Sequence, residues 1–97
     1  MRYRISNVSK RNGVENVYSG IVGRVVDFDL DKARRQMGSD NPVLIDFVTD
    51  CNGIPYHSPK QIVTMKLNSV TSINWFYGKK VVVIEDGNTV YTFDREK

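Results

Sequence analysis

The chain has 97 residues, of which 40% are apolar, 26% charged and 10% aromatic. This composition excludes a mainly disordered protein, because it supplies enough apolar side chains to form a hydrophobic core. The length fits one domain, and no repeat, low-complexity tract or linker divides the sequence. We therefore expect a single β-rich domain over residues 1–97.

Three features of the sequence indicate a cytoplasmic protein that does not enter a membrane. The longest strictly apolar run, Val81 to Ile84, is far shorter than the ~20 residues of a membrane-spanning helix. No apolar stretch follows Met1 to Arg4, so we expect no secretory signal. The single cysteine, Cys51, excludes a disulfide within the chain and is typical of a reducing compartment.

The charge is mildly basic, since 14 Lys and Arg against 11 Asp and Glu give +3 at pH 7. Acidic residues are absent from residues 1–14 and 51–84, and a fold that joined these segments would have a basic face. The alternative is that their cations lie at solvated strand edges and turns, where Lys also discourages edge-to-edge pairing. We favour this alternative, because both signs of charge are interspersed along the chain.

The first third of the chain has the residue types and alternation of β-strands. Residues 3–8 predict a first strand, and Lys10-Arg11-Asn12-Gly13 predicts a turn. Residues 17–28 are rich in β-branched and aromatic side chains and predict a long second strand. Gly20 and Gly23 within it predict a bulge or a sharp bend.

A helix is predicted between Asp29 and Met37. Asp29 or Asp31 can cap it, because a carboxylate accepts the free N–H groups of the first turn, and Gly38 is placed to end it. A helix of about two turns is not stable alone. We therefore expect it to pack on the sheet through three apolar residues, Leu30, Ala33 and Met37.

Asp27, Asp29 and Asp31 also have the spacing that begins a calcium-binding loop. Such a loop needs Gly at its sixth position and Glu at its twelfth, but those positions hold Lys32 and Gly38. We therefore interpret the aspartates as a strand end followed by a helix cap.

The rest of the chain predicts five more strands. Residues 43–49 place Val43, Ile45 and Phe47 on one face. A turn at residues 50–55 leads into an irregular segment at residues 56–59, bracketed by prolines. The other predicted elements are strands 62–67, 70–77, 81–85 and 89–93, a kink at Asn68-Ser69, a turn at residues 78–80 and a hairpin loop at Asp86-Gly87-Asn88.

Seven short strands and one short helix predict a mainly β fold. This pattern favours a small antiparallel, partly closed barrel, or a strongly twisted sheet, with the helix across one opening. The alternatives are an open α+β sheet and a sheet extended by dimerisation, which would make the protein a homodimer.

Cys51 and His57 are the nearest approach to reactive chemistry in the sequence. A cysteine nucleophile needs a histidine that takes its proton. The sequence shows neither an oxyanion hole nor a partner that would orient the histidine. A structural zinc site needs four ligands, usually in paired spacings. Phosphate-binding loops, dinucleotide fingerprints and nucleophile elbows are also absent from the sequence. We expect no catalytic residue, metal or cofactor, and interpret both residues as bystanders.

The sequence Trp75-Phe76-Tyr77 places consecutive rings on both faces of one strand, so at least one ring should face outward. We expect Trp75 to face the core, because Ile73 shares its face. The candidate binding surface is either a base-stacking platform beside basic charge or an anchor for a protein partner. The alternative is that Trp75 fills the barrel and Tyr77 covers its rim. The candidate surface comprises Tyr56, Trp75, Tyr77, Lys79 and Lys80.

The C-terminal third carries a resemblance in the segments Leu67-Asn68-Ser69-Val70-Thr71-Ser72-Ile73, Val81-Val82-Val83-Ile84 and Asn88-Thr89-Val90-Tyr91-Thr92-Phe93. A Ser-x-Val segment ahead of a β-hairpin that ends Asn-Ser/Thr-x-Tyr resembles small uncharacterised phage and prophage proteins. The resemblance implies no active site and no functional residue. It implies an accessory protein of a mobile element, which works by binding a host or competitor molecule.

These features favour a non-enzymatic accessory module that binds another protein as an inhibitor or adaptor. The alternative is a small nucleic-acid-binding β-barrel that uses the acid-free segments and the cluster from Trp75 to Lys80. An enzyme would depend on Cys51 and His57 alone and is the least favoured of the three.

Overall fold

The computed structural model describes residues 1–10, 20–37, 41–50, 52–57 and 63–96. Its strands are β1 (Arg2–Lys10), β2 (Val25–Asp27), β3 (Val43–Phe47), β4 (Thr64–Leu67), β5 (Val70–Phe76), β6 (Val81–Asp86) and β7 (Thr89–Arg95). Within the described ranges, the helix α1 (Leu30–Gln36) lies between β2 and β3, and a short 3-10 helix (Tyr77–Lys79) links β5 to β6. The mainly β fold with one short α-helix is as predicted.

The strands form a curled antiparallel sheet in the order β4-β3-β2-β1-β7-β6-β5. β4 and β5 therefore occupy its two edges, although only Asn68 and Ser69 separate them in sequence. Because this connection has only two residues, the sheet must curl until the end of β4 lies next to the start of β5. The product is a half-barrel, which confirms the predicted partly closed, twisted architecture.

The end at which the edges meet is tied to the β6–β7 hairpin. The Ser69 N–H donates to Asp86 Oδ1 at 2.8 Å, and the Gly87 N–H donates to the Ser69 carbonyl at 3.0 Å. Asp86 pairs with Thr89, and Gly87 has φ 61°, as glycine at the first central position of a two-residue hairpin turn allows. The predicted kink and hairpin are both confirmed.

The hydrophobic core lies on the concave face of the half-barrel. Alternate strand residues point into it, so each strand contributes its apolar face. The Phe28 ring, from the segment between β2 and α1, stacks on Tyr3 at 4.6 Å between centroids and meets Phe93 edge-on at 5.2 Å. The buried apolar residues are Tyr3, Ile5, Val8, Val26, Phe28, Ala33, Val43, Ile45, Phe47, Leu67, Val82, Ile84, Tyr91 and Phe93.

α1 begins at its predicted cap. Asp29 Oδ1 accepts the Lys32 backbone N–H at 3.1 Å, and the helix ends where Met37 turns to an extended backbone. Ala33 is buried and Leu30 packs against the core. The prediction that Met37 belongs to the buried side is wrong: its side chain is 42% exposed, because the chain has already left the helix there.

The long strand predicted over residues 17–28 is wrong within the described part, and residues 17–19 lie outside it. Residues 20–23 form a tight turn, and β2 has only three residues. Gly23 has φ 94°, a conformation that interrupts a strand and that glycine tolerates best. The Gly23 N–H still donates to the Ile5 carbonyl at 2.8 Å, so the turn stays attached to β1. The two glycines predicted a bend correctly.

Candidate binding site

A cavity of about 400 Å³ opens at one end of the half-barrel, where α1 begins. Tyr3 of β1 pairs with Arg95 of β7, and Trp75 of β5 pairs with the buried Val82. Because the sheet curls, these strand ends lie near the start of α1. We call this space the mouth cavity; its lining residues are Met1, Tyr3, Asp29, Leu30, Asp31, Trp75, Tyr77 and Arg95.

Two aromatic rings border the mouth cavity in nearly perpendicular planes. The centroids of Trp75 and Tyr77 lie 6.3 Å apart with an interplanar angle of 76°. Trp75 is half-buried and packs against the core, whereas Tyr77 is 77% exposed. β5 ends at Phe76, and Tyr77 begins the short 3-10 helix that returns the chain to β6. The cavity therefore has one anchored and one exposed aromatic wall.

The charged groups of the lining residues are two carboxylates, from Asp29 and Asp31, and two cations, the Arg95 guanidinium and the Met1 α-ammonium. The Lys32 backbone N–H bonded to Asp29 holds the pKa of that carboxyl below its ordinary value, so Asp29 is ionised at neutral pH. Burial raises the pKa of Tyr3, whose hydroxyl donates to Met1 Sδ at 3.2 Å. Tyr3 is therefore neutral at pH 7. Because the Met1 ammonium is paired with Asp27 at 2.8 Å, the Arg95 guanidinium is the lining cation that opposes the two carboxylates.

A second cavity of about 330 Å³ adjoins the first and has mainly basic walls. Its lining residues are Tyr77, Lys80, Arg95 and Glu96, and we call it the side cavity. The Arg95 N–H donates to the Lys80 carbonyl at 2.9 Å, which joins the two walls. Arg4 Nε donates to Glu96 Oε1 at 2.6 Å and offsets that carboxylate. Tyr77 thus lies between an acidic cavity and a basic one.

The structure brings most of the predicted surface together. Trp75 and Tyr77 line the mouth cavity, Lys80 lines the side cavity, and Lys79 is exposed beside them. Trp75 rather than Phe76 faces the core, as predicted, because Trp75 packs against it and Phe76 is 50% exposed.

Tyr56 belongs to a different part of the fold. Its hydroxyl accepts a hydrogen bond from Arg24 Nη2 at 2.8 Å, and its N–H donates to the Val48 carbonyl at 3.0 Å. These contacts fasten Tyr56 beside β2 and β3, whereas Trp75 is on β5, at the far edge of the sheet. Tyr56 is therefore separated from the other four residues, although it was grouped with them by its distance in sequence.

Six lining residues of the mouth cavity were not identified as binding residues in the sequence: Met1, Tyr3, Asp29, Leu30, Asp31 and Arg95. The alternation of Tyr91, Phe93 and Arg95 does indicate that Arg95 shares the concave face. No local pattern indicates that this face meets the start of α1, because that contact depends on how far the sheet curls.

The basic face is not formed by the described parts of the two acid-free segments. β1 pairs only with β2 and β7, and neither strand belongs to the second segment. Asp27 stands opposite Arg2, and Asp94 stands opposite Arg4. Charges of both signs therefore alternate around β1, as in the interpretation favoured from the sequence.

The three aspartates of the calcium-like spacing have local structural roles. Asp27 ends β2 and accepts a hydrogen bond from the Met1 amino group at 2.8 Å. Asp29 caps α1, and Asp31 lies in the first turn of that helix. Among the residues the structure describes, no three His, Cys, Asp or Glu side chains are grouped as a metal site would need.

Of the two residues considered for reactive chemistry, Cys51 lies outside the described residues, and His57 is exposed. The interpretation of both residues as bystanders stays a prediction.

In the described ranges, no helix has both the length and the apolar character to cross a membrane. Comparison of the chain with protein-family models, with curated proteins and with solved structures gave no match.

Proposed function

We propose that this protein is a small non-enzymatic accessory module that binds another protein, as an inhibitor or adaptor, through the mouth cavity and the exposed Tyr77. The observation that carries the proposal is the exposed ring of Tyr77, which is 77% accessible and stands against Trp75. A large aromatic side chain left so exposed, beside an open cavity, is the kind of feature that a partner covers.

The residue types around the opening support a protein partner. Trp, Tyr and Arg dominate the binding energy of protein interfaces, and here Trp75, Tyr77 and Arg95 border one cavity. Trp75 is already anchored by the core, so it loses little conformational freedom when a partner binds. Acidic and basic walls on either side of Tyr77 also supply the charge complementarity that gives interfaces their specificity.

The biological setting that we propose is a mobile element, whose accessory proteins bind a host or competitor molecule. The β5 start and the β6–β7 hairpin carry the sequence pattern that resembles phage and prophage proteins. Nothing in that resemblance assigns a binding residue, so the proposed surface rests on the geometry of the mouth alone.

The experiment is affinity capture from native host extract with and without nuclease, using the wild type and two single variants. Tyr77→Ala removes the exposed ring of the opening. Phe76→Ala is the matched control, since it removes a neighbouring ring that is 50% exposed on the convex face. The proposal expects a nuclease-resistant protein that the wild type and Phe76→Ala retain and Tyr77→Ala loses. With that partner purified, Tyr77→Ala should weaken binding by about 2 kcal/mol or more.

Equal retention by both variants would contradict the proposed surface. Recovery of nucleic acid alone would instead favour the second candidate, a small nucleic-acid-binding β-barrel. The observation for that candidate is that Lys79 and Lys80 are exposed next to Tyr77, which resembles a stacking ring beside basic charge. We place it second because Asp29 and Asp31 line the same opening and would repel phosphates. Sedimentation of the purified chain shows whether the partner is a second copy.

A further inference from the structure

We infer that the group entering the mouth cavity is a cationic side chain, Arg or Lys, from a basic segment of the partner protein. This inference rests on the proposed protein-binding function and specifies the chemistry of its ligand. Two features of the lining carry it: the pair of aromatic walls and the excess of carboxylates.

The aromatic walls are suited to a cation. The faces of Trp and Tyr rings carry partial negative charge and attract ammonium and guanidinium groups. Here Trp75 and Tyr77 are in edge-to-face contact, with their planes at 76° to one another, and both line the cavity, so a side chain that enters it lies beside both aromatic residues. A guanidinium can also stack flat on a ring, which favours Arg over Lys.

The two carboxylates at the start of α1 also favour the binding of a cation. Asp29, which caps α1, and Asp31, in its first turn, both line the cavity, and Asp29 is held in its ionised form by the Lys32 N–H. The opposing charges among the described lining residues are Arg95, which also borders the side cavity near Glu96, and the Met1 ammonium, which is paired with Asp27 at 2.8 Å. Because the Met1 ammonium is paired with Asp27, the carboxylates of Asp29 and Asp31 outnumber the one remaining lining cation, Arg95, and an incoming cation is attracted on balance.

The size and the apolar lining agree with a single long side chain. A space of about 400 Å³ is near the lower end of ligand pockets, which span about 300–1,000 Å³. Leu30 and Met1 add apolar surface to the lining. Arg and Lys cover such surface with their methylene stems while the charged head stays with polar groups.

The experiment uses the fluorescence of Trp75, which reports on this cavity alone because the chain has one tryptophan. The probe is the peptide acetyl-Ala-Arg-Ala-amide. The control probe has citrulline in place of Arg, which keeps the shape and removes the charge. We expect saturable fluorescence change with the Arg peptide in the millimolar range and affinity at least about fivefold weaker for the citrulline peptide.

The protein variant is Asp29→Asn with Asp31→Asn, in which the new amide at the first position can still cap α1 because Asn and Asp are equivalent caps. We expect it to lose at least about fivefold in affinity for the Arg peptide. Asp94→Asn is the control for loss of a carboxylate outside the cavity, since Asp94 is exposed on β7 beside Arg95 but does not line the cavity, and it should bind the Arg peptide like the wild type. Thermal melting confirms that both variants are folded.

Equal binding of the two peptides, absence of saturable binding, or full affinity in the double aspartate variant would each overturn the inference. None of these results would contradict the proposed function, which depends on the loss of a captured partner in Tyr77→Ala. Conversely, failure of that capture would leave peptide binding measurable, so the two failures can be told apart.

Discussion

Arg24 donates a hydrogen bond to the Tyr56 hydroxyl at 2.8 Å while its guanidinium carbon lies 4.0 Å from the centroid of the Phe47 ring. The same guanidinium donates to the Thr49 carbonyl through Nε at 3.1 Å and Nη2 at 2.8 Å. Arg24 therefore joins the segment before β2, the end of β3 and the loop that carries Tyr56. This cluster stabilises the end of the half-barrel that lies opposite the mouth cavity.

We predict that Arg24→Ala destabilises the fold by about 1–3 kcal/mol, because it leaves the Thr49 carbonyl and Tyr56 hydroxyl without their donor. Tyr56→Phe removes one hydrogen bond and should lower the unfolding free energy by about 0.5–1.5 kcal/mol. Urea denaturation measures both changes. Binding of the captured partner should be unaffected by Tyr56→Phe. A Tyr56→Phe variant that keeps its stability but loses the partner would return Tyr56 to the binding surface.

Trp75 and Phe76 should differ in their effect on stability, because only Trp75 packs against the core. We expect Trp75→Ala to lower the unfolding free energy by about 2–4 kcal/mol, somewhat less than a fully buried aromatic, since the ring is half-buried. Phe76→Ala removes a cross-strand contact with Val81 and should lower it by about 1 kcal/mol or less. Thermal and urea denaturation of the two variants side by side test this order, and a larger loss for Phe76→Ala would contradict it.

The elements that the sequence predicts correctly depend on contacts close in sequence. The alternation of Val43, Ile45 and Phe47, the cap at Asp29 and the β6–β7 hairpin are each encoded within a few residues. The strand prediction over residues 17–28 was wrong because it, too, depended on residues close in sequence. Its β-branched residues favoured a strand, whereas Gly23 at φ 94° decided the local path of the chain.

Part of the candidate binding site could be predicted from the sequence. Trp75 and Tyr77 could be found because a strand that ends in three aromatic residues must expose at least one ring. Asp31 and Arg95 could not, since the start of α1 meets β5 only through the curl of the whole sheet. Tyr56 was misplaced because closeness in sequence does not determine which strand a loop residue contacts, and Arg24 fixes that contact from the segment before β2.

Lys79 and Lys80 provide a direct test of the nucleic-acid alternative. If they contact phosphates, log affinity for a labelled single-stranded oligonucleotide should fall with log salt, and removing both should reduce the slope by about 1.4. The variant is Lys79→Ala with Lys80→Asn, because Lys80 has φ 52°, a conformation that Asn adopts readily. Fluorescence anisotropy over a range of salt concentrations gives both affinity and slope.

The charge-matched control for that experiment is Lys10→Ala with Lys66→Ala, two exposed lysines on β1 and β4. Under the nucleic-acid alternative, this control should keep more of the wild-type slope than the Lys79 and Lys80 variant. Under our proposal, binding is weak and the two double variants behave alike. Binding that does not vary with salt would argue against phosphate contacts altogether.

The last prediction concerns pH and the Asp29 cap. Its pKa is lowered from 3.8, first by the Lys32 backbone N–H and then, among other groups, by Arg35. A lowered folded pKa means that the ionised cap stabilises the fold at pH values above 3.8, and that this stability is lost as the pH falls through the folded pKa. We therefore expect the unfolding free energy of the wild type to fall more between about pH 6 and pH 2 than that of Asp29→Asn, which caps without titrating. Urea denaturation across this range measures the difference, with Asp29→Ala as the variant that lacks the cap at every pH. Parallel pH profiles for wild type and Asp29→Asn would show that the Asp29 carboxylate contributes nothing to stability through its charge.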